Sequence, residues 1–239
     1  MIYEWKLDGV TRNFGDALPE VLLDPPTYRK WSMDADRVHF PIGSTIENSH
    51  LKRAFEGGKI PVFHGCGWRG ESLEPELVKI AEFHGVRGPD TQAELRKHGI
   101  ETEVTLDPAY ELPKILPKAG PNGLAFAVRH ILDKSDYTLN SIHELGADAL
   151  FSPVVEDDTD IIAFIEKVSG ARFVLSGSMH AAIVAHAYGV PFALLNGDYI
   201  DCPPKWHDWL GSVGVTDVRF VDNVRDGRAW HNSAVLGKK

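Results

Sequence analysis

Cysteine is scarce in this chain. The two present, Cys66 and Cys202, lie far apart in 239 residues, and neither belongs to a C-x-x-C or paired Cys/His spacing. No disulfide framework and no zinc motif follow from them. A reducing cytoplasm is the expected compartment. No stretch approaches 18 apolar residues without a charge, so no transmembrane helix is expected. The opening MIYEWKLDGV has neither an apolar core of signal-peptide length nor a small-residue cleavage site. Positive charge is in short supply: 25 Lys and Arg stand against 34 Asp and Glu, a formal net charge of −9. That sign argues against a general affinity for nucleic acid or anionic membranes and leaves room for a local basic pocket. The remainder is ordinary for a folded soluble protein, with 43% apolar, 25% charged and 10% aromatic residues. The apolar content argues against disorder. The length suits one large α/β domain or two small ones.

Short apolar runs alternate with helical segments along the chain. Strands are expected at 2–7, 37–41, 60–64, 83–87 and 103–106, and helices at 16–23, 47–55, 74–81 and 89–98. The last helix is the best marked. Pro89 suits a first turn, Asp90 and Glu94 sit near the positive end of the dipole, and Gly99 follows Lys97 and His98 as a stop. A Pro-rich stretch with Pro108, Pro113, Pro117 and Pro121 then marks a boundary and divides the chain into 1–117 and 118–239. Beyond it, strands are expected at 123–129, 171–175, 191–195 and 216–221, and helices at 136–145, 157–168 and 178–188. Ile161, Ile162, Phe164, Ile165 and Val168 give the middle helix its apolar stripe. This alternation predicts an α/β protein of two doubly wound, Rossmann-like domains with parallel sheets and a cleft between them. Ligands in such folds bind beyond the carboxyl ends of the strands, so chemistry is sought in the loops that follow them.

Five such loops carry candidates. Gly65-Cys66-Gly67-Trp68-Arg69-Gly70 fits G-x-G-x-x-G. A dinucleotide site needs this loop after the first strand and at once before a helix. Here the strand is a later one and the helix begins only near Glu74, so a plain turn or a glycine loop lining a substrate cleft is the better reading. Asn13-Phe14-Gly15-Asp16 follows the first strand, where Asn and Asp serve as helix caps or as cleft residues. Arg87, in Val86-Arg87-Gly88-Pro89-Asp90-Thr91, ends a strand; its planar fork suits a phosphate or carboxylate, or a structural salt bridge. Arg129 ends the first strand of the second half in the same way. Ser176-Gly177-Ser178-Met179-His180 joins a strand to a helix, and hydroxyls at a helix N-terminus suit an anion. His180 falls in the first turn, placed to donate to a phosphate or to carry a proton. His186 is off the same face, which makes the pair a poor metal site. The remaining histidines read as scattered surface or core residues.

Taken in order, these runs resemble the polysaccharide pyruvyl transferase family. The resemblance extends from Leu7 to Leu195 and includes Asp107-Pro108-Ala109, Met179 to Ala185 and Gly189-Val190-Pro191. The family commonly has Arg-Leu-His where this chain has Ser178-Met179-His180. A branch resembling succinoglycan pyruvyl transferases also reads Met-His there. The resemblance implies a two-domain fold like the GT-B glycosyltransferases, with 1–117 on the acceptor side and 118–239 on the donor side. It also implies transfer of a pyruvyl group from phosphoenolpyruvate to a hexose of a bacterial exopolysaccharide or cell-wall glycan as a cyclic ketal. On that basis His180 and Arg129 are expected to be catalytic. Ser176, Gly177, Ser178 and Arg87 are expected to bind the donor, and Asn13, Asp16, Gly67 and Arg69 the acceptor. No metal and no cofactor besides phosphoenolpyruvate as co-substrate is expected. The expected partners are a glycan or lipid-linked oligosaccharide, with peripheral membrane association compatible and no nucleic acid. Two other readings stay open: a GT-B glycosyltransferase using a nucleotide sugar, and a non-catalytic glycan-binding homologue.

Overall fold

The computed structural model describes residues 1–237. Its strands are β1 (Lys6–Leu7), β2 (Thr11–Asn13), β3 (Arg37–Phe40), β4 (Ile60–Cys66), β5 (Glu82–Val86), β6 (Ala125–Val128), β7 (Ala149–Phe151), β8 (Val154–Val155), β9 (Phe173–Ser176), β10 (Phe192–Leu195) and β11 (Phe220–Val221). The chain divides into two compact units. One contains Met1–Trp5, Leu18–Pro108 and Cys202–Thr216; the other contains Lys6–Ala17, Ala109–Asp201 and the chain from Asp217. This corrects the expected division into 1–117 and 118–239. The main crossing lies at the start of the Pro-rich stretch, and two segments are exchanged. A contiguous cut sorts residues by place in the chain, whereas packing follows the core that their apolar side chains enter. Phe14 stacks on Phe164 at 4.1 Å and belongs to the second unit. The helix Pro203–Ser212, with Trp206, Trp209 and Leu210 buried, belongs to the first.

The first unit is built on the parallel sheet β3-β4-β5. Alternation along a strand sends neighbouring side chains to opposite faces. One face therefore carries Phe40, Phe63 and Phe83, stacked at 4.7 and 5.3 Å. His39, His64 and His84, read from the sequence as scattered, form a row on the other. Their rings lie 5.5 and 5.1 Å apart, and Trp31 stacks on His64 at 4.2 Å. Burial, with smaller contributions from His84 and His39, pushes His64 down to about 4 from 6.5. The unfolded chain thus takes up a proton near 6.5 and the folded chain only near 4. Stability conferred by neutral His64 is complete above pH 6.5 and lost as pH falls towards 4. His64→Phe, which keeps the stack, is expected to remove roughly 2 kcal/mol of the stability lost between pH 7 and 4.5, read from urea midpoints.

The second unit holds the five-stranded parallel sheet β11-β10-β9-β6-β7 and the small antiparallel sheet β1-β2-β8. Every residue of β6, β9 and β10 is buried. Strands covered on both faces read as continuous apolar runs, which is why the sequence placed them well. The helix Met179–Ala187 is apolar apart from His180 and His186 and buries seven of its residues, as an element inside the unit must. The helix Asp158–Ser169 begins at Asp157, whose side chain accepts from Asp160 N.

Several expected elements are shorter. The strand at 2–7 survives as a bridge from Ile2 to His39 and as β1, and that at 103–106 as a bridge between Val104 and Val86. The helix at 16–23 is broken into Phe14–Ala17 and Pro19–Leu22, because Pro19 has no N–H to continue the ladder. Helices at Pro25–Ser32, Pro203–Ser212 and Val224–Trp230 were not expected. Cys66 and Cys202 are both free, and burial pushes the Cys66 thiol up to about 12. Among the described residues no helix is long and apolar enough to cross a membrane.

Candidate functional site

Strands β6, β9 and β10 run parallel, so their carboxyl ends open on one edge of the second unit's sheet. Gly177 N donates to Val128 O at 2.7 Å, tying the turn after β9 to the end of β6. Ser176 closes that turn: its hydroxyl donates to Ser178 O at 2.7 Å and accepts from Ser178 N at 3.1 Å. Ser178 is the N-cap residue of the helix Met179–Ala187, yet its side chain makes no capping bond. Its hydroxyl is therefore not committed to the cap that Ser residues usually supply.

His180 is 7% exposed and packs on Gly15. A Cβ on Gly15 would collide with ring Nδ1, so this glycine is set by close approach. The Asn13–Asp16 turn is held against it. Phe14 N donates to Pro153 O at 2.7 Å, and Asn13 Nδ2 donates to Asp16 Oδ2 at 2.6 Å. Two motifs more than 160 residues apart thus meet inside one unit, and Asn13 and Asp16 lie with the proposed donor residues. Gly15→Ala is expected to cost about 1–3 kcal/mol through overpacking, measured as a lower denaturant midpoint.

Arg129 leaves β6 with its N–H donated to Phe151 O at 3.0 Å, and its side chain is 9% exposed. Nη1 stands 3.5 Å from each oxygen of Asp133, and the guanidinium carbon is 5.8 Å from the Tyr137 ring centre. Nε has no hydrogen-bond partner. A buried guanidinium with an unused donor is costly unless a ligand completes it.

Arg87, Gly67 and Arg69 lie in the first unit. Arg87 is fully buried. Its Nη1 donates to Ser44 Oγ at 2.8 Å, Asp208 lies 3.7 Å from Nε, and Asp107 lies 4.0 Å from Nη1. Gly67 leaves no room for a Cβ beside that guanidinium. Burial pushes the Asp208 carboxyl up, and Arg87 and the Thr91 hydrogen bonds pull it down. Thr91 Oγ1 donates to Asp208 at 2.7 Å, and Trp68 N reaches Thr91 Oγ1 at 2.9 Å. The glycine loop and the Arg87–Thr91 run are therefore joined through one buried network. Arg69 pairs with Glu47 at 3.1 Å. Sequence reasoning missed Asp208, which sits on an unexpected helix 121 positions after Arg87. It also missed Asp133 and Tyr137, whose loop has no distinguishing pattern.

A profile of the family described as polysaccharide pyruvyl transferase matches residues 40–199, which is more than half of the chain. The chain belongs to this family. The matched segment takes in Arg87, Arg129 and the Ser176–His180 turn. It leaves out the Asn13–Asp16 turn that packs on His180 and the helix that carries Asp208. The chain is also similar to the succinoglycan biosynthesis protein ExoV of Rhizobium meliloti (strain 1021), with 25% identity over 207 residues. The alignment covers 85% of this chain and 62% of that protein. The chain thus spans less than two thirds of the relative's length.

Proposed function

We propose that this chain transfers the pyruvyl group of phosphoenolpyruvate to two hydroxyls of a hexose in a bacterial exopolysaccharide or cell-wall glycan. The observation that carries the reading is the buried, incompletely hydrogen-bonded Arg129, on the same sheet edge as the Ser176–Ser178 turn and His180. Phosphoenolpyruvate presents a phosphate and a carboxylate. A guanidinium fork with adjacent hydroxyls and backbone N–H groups suits such a ligand. Family membership and the succinoglycan-biosynthesis relative support the same class of reaction.

The chemistry balances without a further reactant. The methylene carbon of the donor gains a proton and becomes a methyl group. One sugar hydroxyl adds to the neighbouring carbon. The second hydroxyl closes the ketal as the C–O bond to phosphate breaks. Of the two hydroxyl protons, one ends on the methyl and the other on inorganic phosphate. His180 is assigned to move a proton or to hold the phosphate, and Arg129 with Ser178 to hold the anion. Charge developing on the leaving phosphate is then met by fixed donors. Asn13 and Asp16, which lie in the same unit as His180, are assigned to the acceptor.

The test mixes the protein with phosphoenolpyruvate and a glycan bearing vicinal or 4,6-related free hydroxyls, and follows phosphate release together with acid-labile pyruvate on the glycan. Both products are expected in equal amounts. Phosphoenolpyruvate at about 100 times its dissociation constant is expected to stabilise the fold by about 2.7 kcal/mol. Stabilisation by a nucleoside diphosphate in its place would overturn the reading in favour of a nucleotide-sugar enzyme.

A further inference from the structure

Asp133 lies four residues after Arg129, and its side chain is 1% exposed. It meets only one end of the guanidinium, with Nη1 at 3.5 Å from each oxygen. The opposite edge is made by Nε and Nη2. Nε has no partner, and Nη2 reaches Asp136 O at 3.5 Å. Two N–H groups along one edge of a planar guanidinium form the fork that takes two oxygens of a phosphate or carboxylate.

Asp133 is itself held from two sides. Ser135 donates to Oδ1 from its N–H at 2.9 Å and from its hydroxyl at 2.6 Å. Oδ2 rests against Gly197, where no Cβ would fit. The Ser135 hydroxyl also lies 2.6 Å from Asp198 Oδ2. Having one proton, it serves one carboxylate at a time, while the Ser135 N–H keeps Asp133 in place. The loops after β6 and β10 are joined at this point.

We infer that Asp133 is a positioning residue for donor binding: it pins Arg129 by Nη1 so that the Nε–Nη2 edge is presented to an oxyanion. The inference rests on the reading of Arg129 as the donor clamp. A pinned arginine has already lost the rotamer freedom that binding would otherwise remove, so the gain appears in affinity. Asp133 touches neither substrate nor reacting atom and acts through Arg129 alone.

The experiment is a double-mutant cycle on ligand affinity, with phosphoenolpyruvate and inorganic phosphate titrated calorimetrically into the full chain. Asp133→Asn is expected to weaken phosphoenolpyruvate about 10-fold and Arg129→Ala about 100-fold, whereas Asp133→Asn in the Arg129→Ala background adds less than about 2-fold. Ser135→Ala, a milder change at a half-buried position, is expected to weaken binding about 3-fold with the same non-additivity. Equal losses from Asp133→Asn in both backgrounds would mark a merely structural role and overturn the inference. Unchanged affinity in Arg129→Ala would overturn it as well. Binding of phosphate but not phosphoenolpyruvate, with the cycle non-additive, would support the positioning role and reject the pyruvyl-transfer reading. Binding of neither ligand would reject both.

Discussion

His180→Ala is expected to lower kcat for pyruvyl transfer by 10²- to 10⁴-fold, the usual worth of a positioned proton-transfer group. The dissociation constant for phosphoenolpyruvate is expected to change only a few-fold, because Arg129 and the Ser176–Ser178 turn remain. The split matters because His180 has a second structural task. Its ring covers Gly15, and removing it leaves a void in the second unit. His180→Gln, which fills more of that space and still donates a hydrogen bond but cannot relay a proton at neutral pH, separates the two tasks. If it restores both the melting temperature and kcat, His180 holds the phosphate and the proton moves elsewhere. If it restores the melting temperature alone, His180 is the proton carrier. Single-turnover phosphate release with saturating glycan reads the chemical step without interference from product release.

Arg87→Ala is expected to destabilise the first unit by about 3–5 kcal/mol, because it leaves Asp107 and Asp208 buried without their cation. This is a large share of the ~5–15 kcal/mol that folded domains have in total. The urea midpoint should fall steeply, and Asp208→Asn alone should cost less, since burial already pushes that carboxyl towards its neutral form. The result decides between two roles. The sequence offers Arg87 for a donor site or a structural salt bridge; its complete burial and its bond to Ser44 favour the network, while its Nε and Nη2, which have no hydrogen-bond partner, leave donors for a ligand. A variant with an unchanged midpoint and lost phosphoenolpyruvate affinity would return Arg87 to the donor site.

Much of the second unit was legible in advance. β6, β9 and β10 are short, almost wholly apolar and followed by turns, and the helices Asp158–Ser169 and Met179–Ala187 are long enough to show their character. Arg129, Ser176, Ser178 and His180 were singled out because position after a parallel strand is itself a signal, and the structure places them at the carboxyl ends of β6 and β9. The helices Pro25–Ser32 and Pro203–Ser212 were passed over because each opens on a Pro-Pro pair, which reads as loop although proline fits a first helical turn. The two-residue strand β8 carries too little pattern to be seen, and β1 and β11 are the short remnants of strands expected at 2–7 and 216–221.

Local composition and order along the chain determined the α/β class, the parallel strands and the family. These follow from burial and chain direction, which neighbouring residues record. Only the tertiary structure decided that the Asn13–Asp16 turn packs under His180 and that Asp208 comes within 3.7 Å of Arg87. Such pairings are set by which core a distant segment enters, and a contact between residues 100 or more positions apart leaves no trace in the spacing of either one.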